Sequence, residues 1–316
     1  NAESSAASDV YKRQDDYVQT PVKHPMQVVA GEIKKRGWDT KTIGTEMDAY
    51  YFSAKSFVEL QKSLPNAKFD DANLLVSWVR IIKSAGEIEF MQKAGKIVER
   101  VMQKAIDTVA PGVRECDAVA EIYRTQIRGT DTFGGDYTAL VPMMPSGDKT
   151  STPHLTWTDE PYQNEIAVNM ELAACHNRYH SPLARTMYLG KNPPGKLVDT
   201  SKVVVEGCNE ALDAIKPGVK CEEIELVWRR VIARAGLEKE SRIGYSMGLN
   251  YPPDWGEHTA SLRPGDKTVL EPNMTFHMIL GMWMDDWGFE CSESFRVTDD
   301  GHETFADFPR QLFIKE

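Results

Sequence analysis

Ala105-Ile-Asp-Thr-Val-Ala-Pro111-Gly112-Val113 returns further along the chain as Ala211-Leu-Asp-Ala-Ile-Lys-Pro217-Gly218-Val219. Each copy closes an apolar-periodic run, and Pro-Gly is a strong helix stop. Each is followed by a second helical pattern, over Cys116 to Arg128 and Cys221 to Ala235, and then by strand-like, turn-rich sequence. A helix, a Pro-Gly corner and a helix, repeated once, predict two similar halves about a pseudo-two-fold axis. The period is too long for a solenoid. Sites often form where such halves meet. The strand-rich tails at 136–154, 168–189, 244–255 and 274–297 are therefore where chemistry is sought.

Ahead of the first copy, Ser84-Ala-Gly-Glu87 reads as a capping box that starts a long amphipathic helix running to about Val109. Before it, the spacing predicts a helix over Met26 to Arg36, a short buried strand at Thr42 to Thr45 and a helix over Ser53 to Ser63. Strand and turn follow at Lys68 to Ala72, then a strand or helix start at Leu74 to Arg80. Such alternation suggests an α/β unit with a parallel sheet. It is short for an independent domain, which usually exceeds about 100 residues, and reads as the last part of one. Residues 1–14 (NAESSAASDVYKRQ) have no apolar core of a signal peptide and read as a non-native leader. The expected division is thus 1–14 leader, 15–82 partial α/β domain and 83–316 catalytic domain.

At 41% hydrophobic and 27% charged, the 316 residues have globular composition. No apolar run has membrane-spanning length. A net charge of −10 argues against a general nucleic-acid binder. The five cysteines are scattered without CxxC spacing, so neither a zinc knuckle nor a disulfide framework is indicated, and a cytoplasmic setting is the simplest reading.

Glu171 lies in the apolar run Ala167-Val-Asn-Met-Glu171-Leu-Ala-Ala. It is either a strand-edge residue facing water or a catalytic carboxylate whose pKa is raised by burial. His154, in Thr-Pro-His-Leu-Thr-Trp157, sits at a loop-to-strand junction, a surface position or a catalytic one. His176 and His180 have the spacing of a helical metal pair, but Asn177 and Pro182 argue for a hairpin instead. Tyr251-Pro-Pro-Asp254-Trp255-Gly-Glu257-His258 and Trp283-Met-Asp-Asp-Trp287-Gly288 place tryptophans beside acids. They suit a pocket for a flat cationic ligand, or are ordinary hairpin decoration. Glu290 and Glu293 alternate in a strand, so only one faces a shared site. No phosphate loop, dinucleotide fingerprint, GxSxG elbow or HExxH occurs.

In this order the landmarks resemble the pita-bread family of creatinases, prolidases and methionine aminopeptidases, from about Ser84 to the C-terminus. His154 matches the histidine ahead of the first metal strand, and Ser181 to Thr186 the hairpin that follows. Gly244-Tyr-Ser-Met-Gly248 matches the Gly-His-Gly-Ile-Gly motif, and Leu270-Glu-Pro-Asn-Met274 the Leu-Glu-Pro-Gly-Met strand. The resemblance implies an α/β fold of two halves about a central site, preceded by a creatinase-type N-terminal domain present here in part. The family's five metal-ligand slots fall on Glu171, Pro182, Tyr245, Ile279 and Ser292. Proline and isoleucine cannot ligate a metal, and Tyr replaces imidazole, so no metal and no other cofactor is expected.

Asp16 to Met26, Glu46 to Phe52, Gly134 to Tyr137, Pro153 to Trp157, Tyr251 to Gly256 and Trp283 to Gly288 are similar to strings of the ectoine-hydrolysing branch of that family. Asn273 and the Cys291-Ser-Glu-Ser294 stretch depart from it. That resemblance implies metal-free ring opening of a small cyclic amidine by a homodimer. Glu171 is expected as nucleophile or base, His154 as proton shuttle and Tyr245 as partner of the tetrahedral intermediate. His180, Asp254, Trp255, His277, Trp283, Trp287 and Glu293 are expected to bind substrate. Other readings are amidine or guanidine hydrolysis on another substrate, a dipeptidase-like metallopeptidase, and a non-catalytic binding protein on the same scaffold.

Overall fold

The computed structural model describes residues 23–316; the leader expected at 1–14 lies outside them. The chain divides into two compact units between Trp78 and Val79.

In the first unit, α1 (Pro25–Lys35) starts with Pro at its first position and a His24 ring that caps Met26 N–H. Strand β1 (Thr42–Thr45), α2 (Ala54–Ser63) and β2 (Lys68–Asp71) follow. The two strands pair in parallel, with Thr42 opposite Lys68. Ala30, Leu60 and Leu64 make a small core. Only Thr45 of β1 is buried, so the buried strand expected there is half open, because a two-stranded sheet covers little of either face. The strand-or-helix choice near residue 75 resolves to a one-turn helix, α3 (Leu75–Val79).

The second unit opens with α4 (Ala85–Thr108), whose Ser84–Glu87 capping box is made in both directions. Helix α5 (Glu115–Arg128) and the hairpin β3 (Ile166–His176) and β4 (Tyr179–Leu189) complete the first half. Helices α6 (Gly195–Asp213) and α7 (Cys221–Arg234) open the second. Strands β5 (Gly244–Met247), β6 (Gly256–Leu262), β7 (Thr275–Trp283), β8 (Gly288–Val297) and β9 (His302–Thr304) follow, and β10 (Phe313–Lys315) returns to β4. The sheets run β10-β4-β3 and β6-β5-β7-β8-β9.

Period-2 alternation gives each sheet one apolar face. Val168, Met170 and Leu172 pack with Ile97, Val101 and Ile122 of α4 and α5. Phe276, Met278 and Leu280 pack with Val204, Ile224 and Trp228 of α6 and α7. The two sheets meet where β4 touches β8. Ala184 N–H donates to Ser292 Oγ at 2.6 Å, and Glu290 N–H to Thr186 Oγ1 at 2.9 Å. The helix-free faces of β3, β4, β8, β7 and β5 thus form one continuous floor.

The predicted repeat is structural. Gly112 (φ 84°) and Gly218 (φ 89°) turn the chain alike. Their N–H groups donate to Tyr162 O and Leu270 O, both at 2.9 Å. The tail at 136–154 is not a strand. Pro142, Pro145 and Pro153 remove ladder donors, and the segment is a loop with a short 3-10 turn (Gly147–Ser151). It is clipped to β3 by bridges Met143–Glu171 and Ser146–Val168. Among the described residues no helix is long and apolar enough to cross a membrane.

Candidate active site

Glu171 points from β3 onto the floor, beside Asn169 and Ala173 and opposite the helix-facing Met170 and Leu172. Its backbone is clamped to Met143, N–H to carbonyl at 2.9 and 3.0 Å. The residue is only 2% exposed, and its carboxylate has no hydrogen-bond partner among the described residues. Burial first, then the charge of Asp254, pushes its pKa up to about 8. The strand-edge alternative is thereby answered: the carboxylate is enclosed.

His154 approaches from the loop above, its Nε2 4.0 Å from Glu171 Oε2, just outside direct hydrogen-bond distance. Its ring is open to solvent and its backbone holds φ at 64°. Glu115 at the start of α5 fixes this loop at both ends. Its carboxylate accepts Ser146 Oγ–H at 2.6 Å, and Thr158 N–H and Oγ1–H at 2.6 and 2.9 Å.

The second half supplies a chain of neutral groups. Tyr245 OH lies 2.9 Å from His277 Nδ1, and His277 Nε2 lies 2.8 Å from Ser292 Oγ. Trp255 Nε1–H donates to Tyr245 OH at 2.8 Å. Trp255 and His277 are fully buried, so they support Tyr245 from behind. Burial takes the His277 pKa down to about 3, so the ring is neutral.

Other expected residues are dispersed. His180 is fully buried; its Nε2 accepts Ala139 N–H at 2.9 Å, and its Nδ1 has no partner. The hairpin turn before it is made by Asn177 and Arg178 with φ 50° and 67°, which excludes the helical pair with His176. Asp254 sits at the rim, 3.0 Å from His258 Nε2, with Oδ1 accepting Gly256 N–H. Trp283 marks the far end of the floor, where the Lys239 ammonium stands 3.9 Å over its ring. Lys239 donates to Gly281 O at 2.7 Å, and burial lowers its pKa to about 7.

Two expectations fail. Glu293 faces the helices, where Arg185 and Arg310 pair with it at 2.6 and 2.9 Å. The hairpin register sets Gly281 opposite Glu290 and Ile279 opposite Ser292. That parity puts Glu290, not Glu293, on the floor. Burial and the charge of Glu171 push the Glu290 pKa well up. Trp287 turns to the helix side, packs against the core there and lies under Lys196 at 5.1 Å. It does not wall the site.

Sequence reasoning missed Arg242. Its guanidinium lies 4.4 Å over the Tyr245 ring. Among the described residues no carboxylate comes within ion-pair distance of it. Burial lowers its pKa, against the opposing pull of Tyr245 and Asp254. No motif marks it, because it acts from the lead-in to β5 rather than from the floor pattern. Glu290 was recoverable from the register, which the Trp283–Gly288 turn sets.

A metal centre does not fit this donor set. Pro182 and Ile279 offer no donor, and both His277 nitrogens are engaged. Among the described residues no group of three His, Cys, Asp or Glu side chains converges.

Residues 89–299 match metallopeptidase family M24, and the chain belongs to that family. It is a hydrolase built on the pita-bread fold. The ectoine hydrolase of Halomonas elongata is 46% identical over 308 residues, 95% of this chain and 77% of that protein. A Sinorhizobium fredii protein described as an uncharacterized hydrolase/peptidase is 45% identical over 302 residues, 96% of this chain and 77% of its own. Among solved structures, a Pyrococcus horikoshii dipeptidase superposes with a TM-score of 0.81 at 22% identity, covering 93% of this chain and 80% of its own.

Proposed function

We propose that the chain hydrolyses ectoine or a close cyclic amidine without a metal, opening the ring to an N-acetylated diaminobutyrate. The observation that carries the reading is the enclosed Glu171 carboxylate, with no hydrogen-bond donor to it among the described residues and only the His154 ring at 4.0 Å, on a floor whose other ligand slots hold Pro182, Tyr245, Ile279 and Ser292. An amidinium is a cation that such a carboxylate can hydrogen-bond. Similarity to a relative named ectoine hydrolase supports the substrate class.

Glu171 adds to the amidine carbon or activates the water that does. His154, at the solvent side, moves the proton to the departing ring nitrogen. Tyr245 donates a hydrogen bond to the tetrahedral intermediate. Arg242 pairs with the substrate carboxylate, which would otherwise be repelled by Glu171, Glu290 and Asp254. Trp283 and Lys239 close the far end of the floor.

The proposal includes a homodimer, in keeping with the family resemblance, and the assignment of residues 23–82 to a creatinase-type N-terminal domain. Sedimentation of the protein tests the first. The function itself is tested by incubating the protein with ectoine and following ring opening by mass spectrometry. Conversion is expected. Binding without conversion supports instead a ligand-binding protein on an enzyme scaffold.

A further inference from the structure

The chain Tyr245–His277–Ser292 has a limited supply of hydrogens, and counting them gives it a direction. An indole N–H and a backbone N–H only donate. Tyr245 oxygen therefore already accepts from Trp255 at 2.8 Å, and Ser292 oxygen from Ala184 at 2.6 Å. The neutral His277 ring has one N–H to share between two hydroxyl partners. Two arrangements satisfy it. In one, Ser292 donates to Nε2 and Nδ1–H donates to Tyr245, which leaves the Tyr245 hydrogen unspent. In the other, Tyr245 donates to Nδ1 and Nε2–H donates to Ser292, which leaves the Ser292 hydrogen unspent.

Burial decides between them. Ser292 is 0% exposed, and among the described residues Nε2 of His277 is the one acceptor within reach of its hydroxyl. An unspent hydrogen there is a buried orphan, and a buried hydrogen bond left unmade is costly. The Tyr245 phenol is enclosed too, but it stands close enough to Glu171 to feel that charge, so its unspent hydrogen has the floor beside Glu171, where substrate is proposed to bind, to point at. Burial also raises the phenol pKa, with the Glu171 charge adding to it, so the group keeps its hydrogen and acts as a donor.

We propose that Ser292, through His277, is a positioning residue that holds the Tyr245 hydroxyl hydrogen turned towards the floor beside Glu171, ready for the tetrahedral intermediate. This rests on the amidine reading above. It gives a role to Ser292 and to the second nitrogen of His277, neither of which needs to touch substrate.

The test is a double-mutant cycle in ectoine turnover. Tyr245→Phe removes the donor, and a fall in kcat of about 10²-fold is expected. Ser292→Ala lets the Tyr245 hydrogen turn back to Nδ1, and kcat is expected to fall about tenfold or more with KM little changed. In the double variant the second change should cost almost nothing, because the donor it positions is already gone. A packing defect behaves otherwise: Ser292→Ala would then slow the Tyr245→Phe enzyme by the same factor as the wild type, and that additivity overturns the proposal. If Ser292→Ala does not fold, His277→Gln takes its place in the cycle with the same two outcomes. Absence of ectoine turnover in the wild type overturns the functional reading and this inference with it. Turnover with an additive cycle overturns this inference alone.

Discussion

The two halves of the second unit share a frame and differ in chemistry. Both turn at a Pro-Gly corner with a positive-φ glycine, at 84° and 89°. Both lay a helix pair against the back of a sheet. Yet the first half sets Glu171 on the floor under a solvent-open imidazole, His154, that comes from the loop above. The second half places a chain of neutral donors and acceptors, and a cation, Arg242, stacked on Tyr245. It adds a buried carboxyl, Glu290, that burial and the Glu171 charge push towards its protonated form. The scaffold's symmetry therefore does not extend to the site. One half supplies the reacting charge, and the other orients hydrogen bonds around it.

The difference is broken most severely at Glu171. Glu171→Gln keeps the shape and removes the charge, and turnover is expected to fall at least about 10²-fold with binding largely retained. The wild-type rate should decline at acid pH as the carboxyl, titrating near 8, takes up its proton. Stability moves the other way. The folded carboxyl holds its proton above the ordinary 4.5, so the fold loses stability as pH rises from about 4.5 towards 8. The Gln variant escapes that loss. Its Tm advantage over wild type should widen across the same window, measured by thermal unfolding at pH 5 and pH 8. Near wild-type turnover in Glu171→Gln, with His154→Ala inactive, would move the reacting role to a histidine-activated water.

Arg242 tests the second half next. Arg242→Met is expected to raise KM about tenfold or more while kcat changes little, the scale of a lost charged hydrogen bond. With a cyclic amidine that lacks the carboxylate, the variant and wild type should have similar KM. An equal loss on both substrates would remove Arg242 from substrate recognition.

The helix side of the sheet provides the contrast. Glu293→Gln weakens the buried ion pair with Arg185 and the partly exposed one with Arg310, so a Tm drop of several degrees is expected, as breaking a buried pair costs about 3–5 kcal/mol at the upper end. Turnover per folded molecule should hold within about twofold, whereas Glu290→Gln on the floor should change it. The smallest effect is expected from Trp287→Leu, which touches helix-side packing alone. A large kcat/KM loss there would bring Trp287 back to the site.

What the sequence made legible follows from the range of each signal. The repeat was readable because Pro-Gly punctuation and helix periodicity are local. A carboxylate within an apolar strand marked Glu171 for attention but left a water-facing edge open, and the clamp to Met143 and its burial decided for enclosure. The choice of Glu293 over Glu290 was wrong, since alternation gives opposite faces but not which face is inward. That needs the register fixed by the turn between β7 and β8. Trp287 was misplaced for the same reason, being a turn residue free of the strand's alternation. Glu115 was invisible because its partners Ser146 and Thr158 lie far along the chain, and Arg242 because its neighbours are assembled only by folding.

Ectoine turnover by exhaustively chelated protein, compared with the same protein after Mn²⁺ or Zn²⁺ is added back, bears most directly on a metal-free carboxylate mechanism. The expected result is full activity after chelation, no gain on adding either ion, and near-complete loss in Glu171→Gln under both conditions. Activity abolished by the chelator and restored by Mn²⁺ or Zn²⁺ would contradict it.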